Sequence, residues 1–308
     1  MSERRGGIAY LGVITPIIFG TTYLLTTDFL PPGRPLLVAL GRSLPTGVVL
    51  VIGSKLPPRG WWWKFAVLSV LYASAFFPLL FVAAYRLPGG VAAVINSIGP
   101  IATAVLSIWL LRTPIRAIQV IAGLVGVGGV ALLVLSSSAR LDGWGVLAMV
   151  SCVIMLSAAA VLTKRWGKPD GFTARGMTGW TFLIGGVTLI PFVLIFEGLP
   201  AQLSGREIGG FVYLGLISGV VGYGMWFWAL ERLSPSAVMF LGLVNPVVAA
   251  ALGWIFLGQR LNGLQLFGAA LVLVAVVLGQ LGPRRGASAP PETAVGTPSG
   301  SSSVRSGS

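Results

Sequence analysis

Residues 83–111 read AAYRLPGGVAAVINSIGPIATAVLSIWLL, and residues 229–257 read ALERLSPSAVMFLGLVNPVVAAALGWIFL. In each stretch a short gap carrying an Arg-Leu pair separates two apolar runs. A proline, Pro100 or Pro246, falls near the middle of the second run. About 20 apolar residues suffice to cross a bilayer. Fusing the runs across either gap would give a helix far longer than the hydrocarbon is thick, and Pro88 and Pro235 favour a stop at each. With breaks at 86–88 and 231–234, the apolar runs of the chain fall at 8–26, 36–53, 65–85, 89–111, 118–136, 143–162, 177–196, 208–230, 235–257 and 264–282. The predicted fold is an all-α integral membrane protein with ten transmembrane helices. The first run lacks a small-residue cleavage site and is followed by further spans, so it reads as the first helix rather than a signal peptide.

The two quoted stretches lie 146 residues apart. Aligning 83–132 with 229–278 pairs identical residues that include Ala83 with Ala229, Arg86 with Arg232, Leu87 with Leu233, Pro100 with Pro246, Ala104 with Ala250 and Gln119 with Gln265. An Arg-Leu gap, a mid-span proline and a glutamine opening the next span thus coincide. Spans three to five recur as spans eight to ten. A repeat of five is odd, so the second copy enters the membrane from the opposite side. The chain therefore divides into two inverted five-helix repeats, 8–136 and 143–282. Inverted repeats are a hallmark of secondary transporters, whose two halves exchange conformations to open to either side. A structural duplication without transport is the alternative.

Composition supports lipid as the solvent. Of 308 residues 55% are hydrophobic and 9% charged, against about 25% charged in soluble domains, which excludes a water-soluble globule. There is no histidine, and Cys152 is the single cysteine. Zinc-hydrolase motifs, Ser–His and Cys–His dyads, intrachain disulfides and thiolate clusters cannot be built, so no metal, no cofactor and no enzymatic chemistry is expected. The net charge of +13 comes from 21 basic and 8 acidic residues scattered in the gaps. That distribution orients a membrane protein rather than binding nucleic acid. With the N-terminus inside, fifteen basic residues are cytoplasmic, among them Lys55, Lys64, Lys164, Lys168, Arg175 and Arg232. Five are outside: Arg34, Arg86, Arg140, Arg206 and Arg260. Both termini are therefore expected in the cytoplasm. Trp61, Trp62, Trp63, Trp109, Trp144, Trp166 and Trp254 sit at span ends, where indoles anchor. Residues 283–308, rich in Pro, Gly, Ser and Thr, read as a disordered cytoplasmic tail.

Several side chains point to a site inside the bundle. Pro100 and Pro246 each remove a backbone donor and free carbonyls one turn back, tolerable at bilayer depth only against protein or a water-lined cavity. Asn96 lies one turn before Pro100, and Asn245 immediately precedes Pro246. Two amides beside two helix breaks mark a central site, with helix–helix hydrogen bonding as the alternative. On the first span Thr15, Thr22 and Thr26 share a face flanked by Phe19 and Tyr23, either lining a pathway or packing against a neighbour. Tyr72 with Phe76 and Phe77, and Tyr223 with Trp226 three residues on, form aromatic walls suited to a neutral, zwitterionic or flat amphipathic solute; core packing is the other reading. Arg42 is the only ionisable residue well inside a span. It can bind a substrate carboxylate, bond to helix carbonyls, or snorkel to the outer boundary. The acids lie in gaps, tails or span ends, Glu231 at the inner end of the eighth span. Transport is then facilitated, or coupled through the substrate's own charge or a peripheral acid.

These features together resemble the EamA-type family of the drug/metabolite transporter superfamily, over roughly residues 8–282. Phe19-Gly20-Thr21-Thr22-Tyr23 is similar to the family's Trp-Gly-Ser/Thr segment, with Phe19 in place of the tryptophan. Arg42 falls where a family arginine opens the apolar second helix. Asn245-Pro246-Val247-Val248-Ala249-Ala250-Ala251-Leu252-Gly253-Trp254 resembles the ninth-helix signature, followed by Gly268 in the tenth. Family members often carry a Gly-Glu pair after the ninth helix; here Gly258 is followed by Gln259, and the repeat-equivalent residue is Thr113. The resemblance implies ten spans in two units of five and export or exchange of amino acids, pigments, drugs or related metabolites at the inner membrane. The expected function is an inner-membrane secondary exporter of such small molecules, as a monomer or homodimer. A nucleotide-sugar or lipid-linked solute carrier, or a non-transporting scaffold, stands as the alternative.

Overall fold

The computed structural model describes residues 15, 18–21, 29–87, 89–114, 116–134, 142–257 and 262–280. Among these the secondary structure is helical throughout, with no strand. Six helices are long and apolar enough to cross a membrane: Arg59–Arg86, Val91–Leu111, Gly143–Trp166, Ala174–Phe196, Gly205–Arg232 and Gly263–Gln280. Three apolar helices are shorter, Pro35–Val51, Ala117–Leu133 and Pro235–Val248. Of the expected first span only Thr15 and residues 18–20 are described as helical. The expected tail 283–308 and the Gly258-Gln259 pair lie outside the described residues.

We number the helices α1 (Pro35–Val51), α2 (Arg59–Arg86), α3 (Gly89–Asn96), α4 (Gly99–Leu111), α5 (Ala117–Val134), α6 (Gly143–Trp166), α7 (Ala174–Phe196), α8 (Gly205–Arg232), α9 (Pro235–Gly242), α10 (Val244–Leu257) and α11 (Gly263–Gln280). Their starts follow from local chemistry, since the first turn leaves N–H groups unpaired. Asp142 caps α6 through Gly145 N at 2.7 Å, Thr173 caps α7, and Ser204 with Glu207 forms a capping box on α8. Ser234 caps α9, whose first residue is Pro235. Gln119 and Gln265 each reach back to the backbone N–H three residues before, on Arg116 and Asn262.

Pro100 and Pro246 break their spans. The helix stops at Asn96, turns through Ser97 and Ile98, and restarts as α4 with Pro100 in its first turn. Correspondingly α9 ends at Gly242, Leu243 forms the turn, and α10 carries Pro246 as its third residue. Both turns lie in the stretch where a proline cannot donate to the carbonyl four residues earlier. Two more departures from α geometry are π segments, Val70–Ser74 within α2 and Tyr213–Tyr223 within α8. Wide turns of this kind often accompany functional sites.

Packing is inverted relative to a soluble protein. Hydroxyl residues Ser43, Thr46, Ser69, Ser157, Thr178, Thr181 and Ser218 are buried, while Trp109, Leu124, Ile154 and Ile195 face outward. Lipid tails provide no hydrophobic drive between helices, so close backbone approach and small residues hold them together. The closest approaches pair α1 with α7 and α5 with α11. A Cβ on Gly186 would lie 2.7 Å from Leu44 Cα, one on Gly179 would lie 2.6 Å from Val51 N, and one on Gly47 would overlap Leu183 N. In the second pair, a Cβ on Gly268 would come within 2.6 Å of Gly129 O. Ascending residues on one partner meet descending residues on the other, so both pairs are antiparallel.

The α1–α7 pair is tied at both ends. Glu197, just past α7, accepts from Leu36 N at 2.7 Å and Leu37 N at 2.8 Å, while Arg175 at the other end donates to Ile52 O at 3.0 Å. A carboxylate on the first N–H groups of a helix also meets the positive end of its dipole. Glu197→Ala is expected to cost about 1–2 kcal/mol, read as a lower thermal unfolding midpoint of the purified protein; a midpoint equal to the parent's would remove Glu197 from the scaffold.

Candidate functional site

Arg42, on α1, is 2% exposed. The guanidinium has neither snorkelled to a boundary nor, among the described residues, found an acid. Its Nη2 donates to Ser218 Oγ on α8 at 2.9 Å, and its Nε has no partner. Among the described residues three rings surround it: Phe77 at 4.8 Å, Tyr223 at 5.3 Å and Phe19 at 5.5 Å from the guanidinium carbon. These are cation–π distances, which partly offset the loss of water. The cage is continuous, with Phe182–Tyr223 at 4.5 Å, Phe19–Tyr223 at 4.9 Å and Phe77–Tyr223 at 5.7 Å between ring centroids.

The π segments help build this cage, because widening a helix re-aims the side chains beyond it. Ser218 lies within the π segment of α8, which ends at Tyr223; Trp226 follows on the next turn, its indole buried and its ring 6.4 Å from Phe19. Tyr72 belongs to the π segment of α2. Its ring packs on Phe227 at 5.0 Å and its hydroxyl lies 3.4 Å from Thr163 Oγ1. Thr163 and Phe227 also line a cavity of about 490 Å³, whose mouth carries Lys164, Lys168, Glu231 and Arg232. There Lys168 pairs with Glu231 at 2.9 Å, and Lys164 Nζ donates to the Leu230 and Glu231 carbonyls at 3.0 Å each.

Of the residues singled out in the sequence, the structure thus brings Arg42, Tyr72, Tyr223 and Trp226 into one buried cluster with Phe77. Asn245 is half-buried beside the first span, its backbone oxygen 3.2 Å from where a Cβ on Gly20 would stand, and its side-chain Oδ1 is buried without a partner. The Asn96 side chain makes no hydrogen bond among the described residues; its neighbours Val94 and Ile95 pack into two clusters separate from the Arg42 cage. Thr22 and Tyr23 lie outside the described residues. Phe182 and Ser218 were not foreseen. Phe182 is one more phenylalanine in an apolar run and gives no signal. A serine five residues before Tyr223 in a Gly-rich span is a faint one.

The sequence pattern of the EamA-like transporter family matches twice, at residues 7–135 and 143–279. Protein PecM of Dickeya dadantii (strain 3937) is 40% identical over 86% of this chain and 89% of its own length. The WAT1-related protein At3g02690, chloroplastic, of Arabidopsis thaliana is 28% identical over 86% of this chain and 68% of its own. The uncharacterized inner membrane transporter YedA of Escherichia coli (strain K12) is 28% identical over 86% and 88%. A solved crystal structure superposes with a TM-score of 0.74 over 90% of this chain and 97% of that one, at 17% identity, a likeness of fold alone. Helices apolar enough to cross a bilayer, hydroxyls turned inward, and two family matches spanning most of the sequence lead to one conclusion: the chain belongs to the EamA-like transporter family and is a multi-pass membrane transporter.

Proposed function

We propose that this transporter is an inner-membrane exporter of small metabolites, amino acids or amphipathic drugs, working by alternating access between two inverted five-helix repeats, 8–136 and 143–282. The observation that carries the reading is a set of paired irregularities at a constant separation of 146 residues. The turn at Ser97 matches the turn at Leu243, and the π segment Val70–Ser74 falls opposite 216–220, inside the π segment Tyr213–Tyr223. Gln119 and Gln265 make equivalent bonds to Arg116 and Asn262. Phe77 and Tyr223 are equivalent positions whose rings touch, as expected beside a pseudo-two-fold axis. Antiparallel packing of α1 on α7, and of α5 on α11, is what matched helices of inverted copies would show.

The contacts at the helix ends support both termini being cytoplasmic. Arg86 pairs with Asp142, and Arg34 bonds to Gly198 O, joining segments that the basic-residue rule puts outside. Lys168 with Glu231, and Trp180 with Lys55 O, join segments that it puts inside. On this reading Pro100 and Pro246 are flexing points of a central site; the break at Pro246 lies beside Gly20, next to Phe19 of the cage, whereas the break at Pro100 packs apart from it.

Comparing extracellular and intracellular metabolites of a deletion strain, its parent and the complemented strain tests the reading. Export predicts a small set of solutes depleted outside and raised inside in the deletion strain. The reverse pattern would mean uptake, and no difference in any solute class would favour a non-transporting scaffold.

A further inference from the structure

Arg42 is a cation held out of water with an unpartnered Nε, one side-chain hydrogen bond from Nη2, and no acid beside it among the described residues. An ion at such depth is normally paired or bonded throughout. The faces around it among the described residues are flat aromatic rings, Phe19, Phe77 and Tyr223, with Phe182 packed against Phe77 and Tyr223 behind them. A second, independent feature lies at the cavity mouth. There Lys164, Lys168 and Arg232 outnumber Glu231, and Glu231 is already engaged by Lys168 and Arg232. A mouth of net positive charge raises the local concentration of anions. Its wall at Thr163 and Phe227 backs onto Tyr72, a member of the same buried cluster as Tyr223 and Trp226.

We propose that the solute of this site is an organic monoanion, drawn in past the basic mouth and held by its carboxylate on the Arg42 guanidinium, with a planar apolar body against the surrounding rings. This rests on the transport reading above and names its substrate class. A carboxylate matches the guanidinium fork, and the vacant Nε is one of the donors it would use. A phosphate dianion would call for further basic groups, and among the described residues the cage holds one. The pairing also answers the absence of a membrane acid. With its anion bound the site is neutral and can reorient without carrying a buried charge through the membrane field, so the solute itself supplies the counter-charge.

The test uses the full chain in detergent, with 2-naphthoate, 2-naphthamide and 2-naphthyl phosphate as probes, read by thermal shift and by quenching of tryptophan fluorescence. Wild type should bind 2-naphthoate at least tenfold more tightly than the amide. Arg42→Lys should weaken the acid about tenfold while keeping some preference for it. Arg42→Met, checked to be folded by its own unfolding transition, should bind acid and amide alike. Equal binding of acid and amide by wild type overturns the proposal, as does a preference that survives in Arg42→Met, which would put the anion at the Lys164–Lys168 mouth. Tenfold tighter binding of 2-naphthyl phosphate overturns the carboxylate assignment. A deletion strain that retains only neutral solutes ends the anion proposal and leaves transport standing. No retained solute of any kind ends the transport reading itself.

Discussion

Arg42→Met is expected to raise the stability of the ligand-free protein by about 1–4 kcal/mol while abolishing transport. Desolvating a guanidinium costs several kcal/mol, and a buried ion replaced by an apolar group of similar volume often leaves a protein unchanged or more stable by that amount. Among the described residues the compensation is thin: one hydrogen bond to Ser218 and three ring faces. Methionine has nearly the reach of the arginine stem, and its sulfur packs well against aromatic edges. The gain is read as a higher thermal unfolding midpoint of the purified variant at fixed detergent, and the loss as absent efflux in cells. A variant less stable than wild type would show that Arg42 holds the bundle together, and the cage would then be scaffold. A stable variant without transport would mark a residue kept at a cost to stability because function needs it.

Gly47→Leu should be the most damaging single change in the scaffold, costing about 3 kcal/mol or more, at the upper end of overpacking effects. A Cβ there would run into α7 at Leu183 N, which is main chain and cannot rotate away. Gly128→Leu is the matched control. A Cβ at Gly128 meets nothing within 4 Å, so the exchange should be neutral or stabilising by about 0.5–1 kcal/mol through helix propensity. Unfolding midpoints of the two variants, measured side by side, separate close packing from a general intolerance of bulk in glycine-rich helices. Equal destabilisation by both would sink the argument.

Much of the architecture was legible from one dimension. Apolar runs report helices because a bilayer demands about 20 residues per crossing, and the described helices from Pro35 to Gln280 fall within a few residues of them. Pro100 and Pro246 announced the breaks because a missing N–H acts locally. The candidate site was only partly legible. Arg42 stood out as the lone ionisable residue in a span, but whether it snorkelled or turned inward depends on which helix lies beside it. Asn96 and Asn245 each stand beside a helix break in the sequence, yet the helix of Asn96 carries it into different surroundings.

The sequence by itself pointed to lipid as the solvent and marked the places where the described helices start and stop, since each follows from hydropathy, caps and proline, which act within a few residues. Tertiary structure decided that α1 lies antiparallel against α7, that Ser218, Phe77 and Tyr223 meet around Arg42 with Phe182 packed behind, and that among the described residues the guanidinium is left with an open donor. Those outcomes turn on how backbones approach at glycines and how the π segments rotate the faces of α2 and α8. Such contacts arise between residues from some 35 to more than 170 positions apart, where no local pattern reaches.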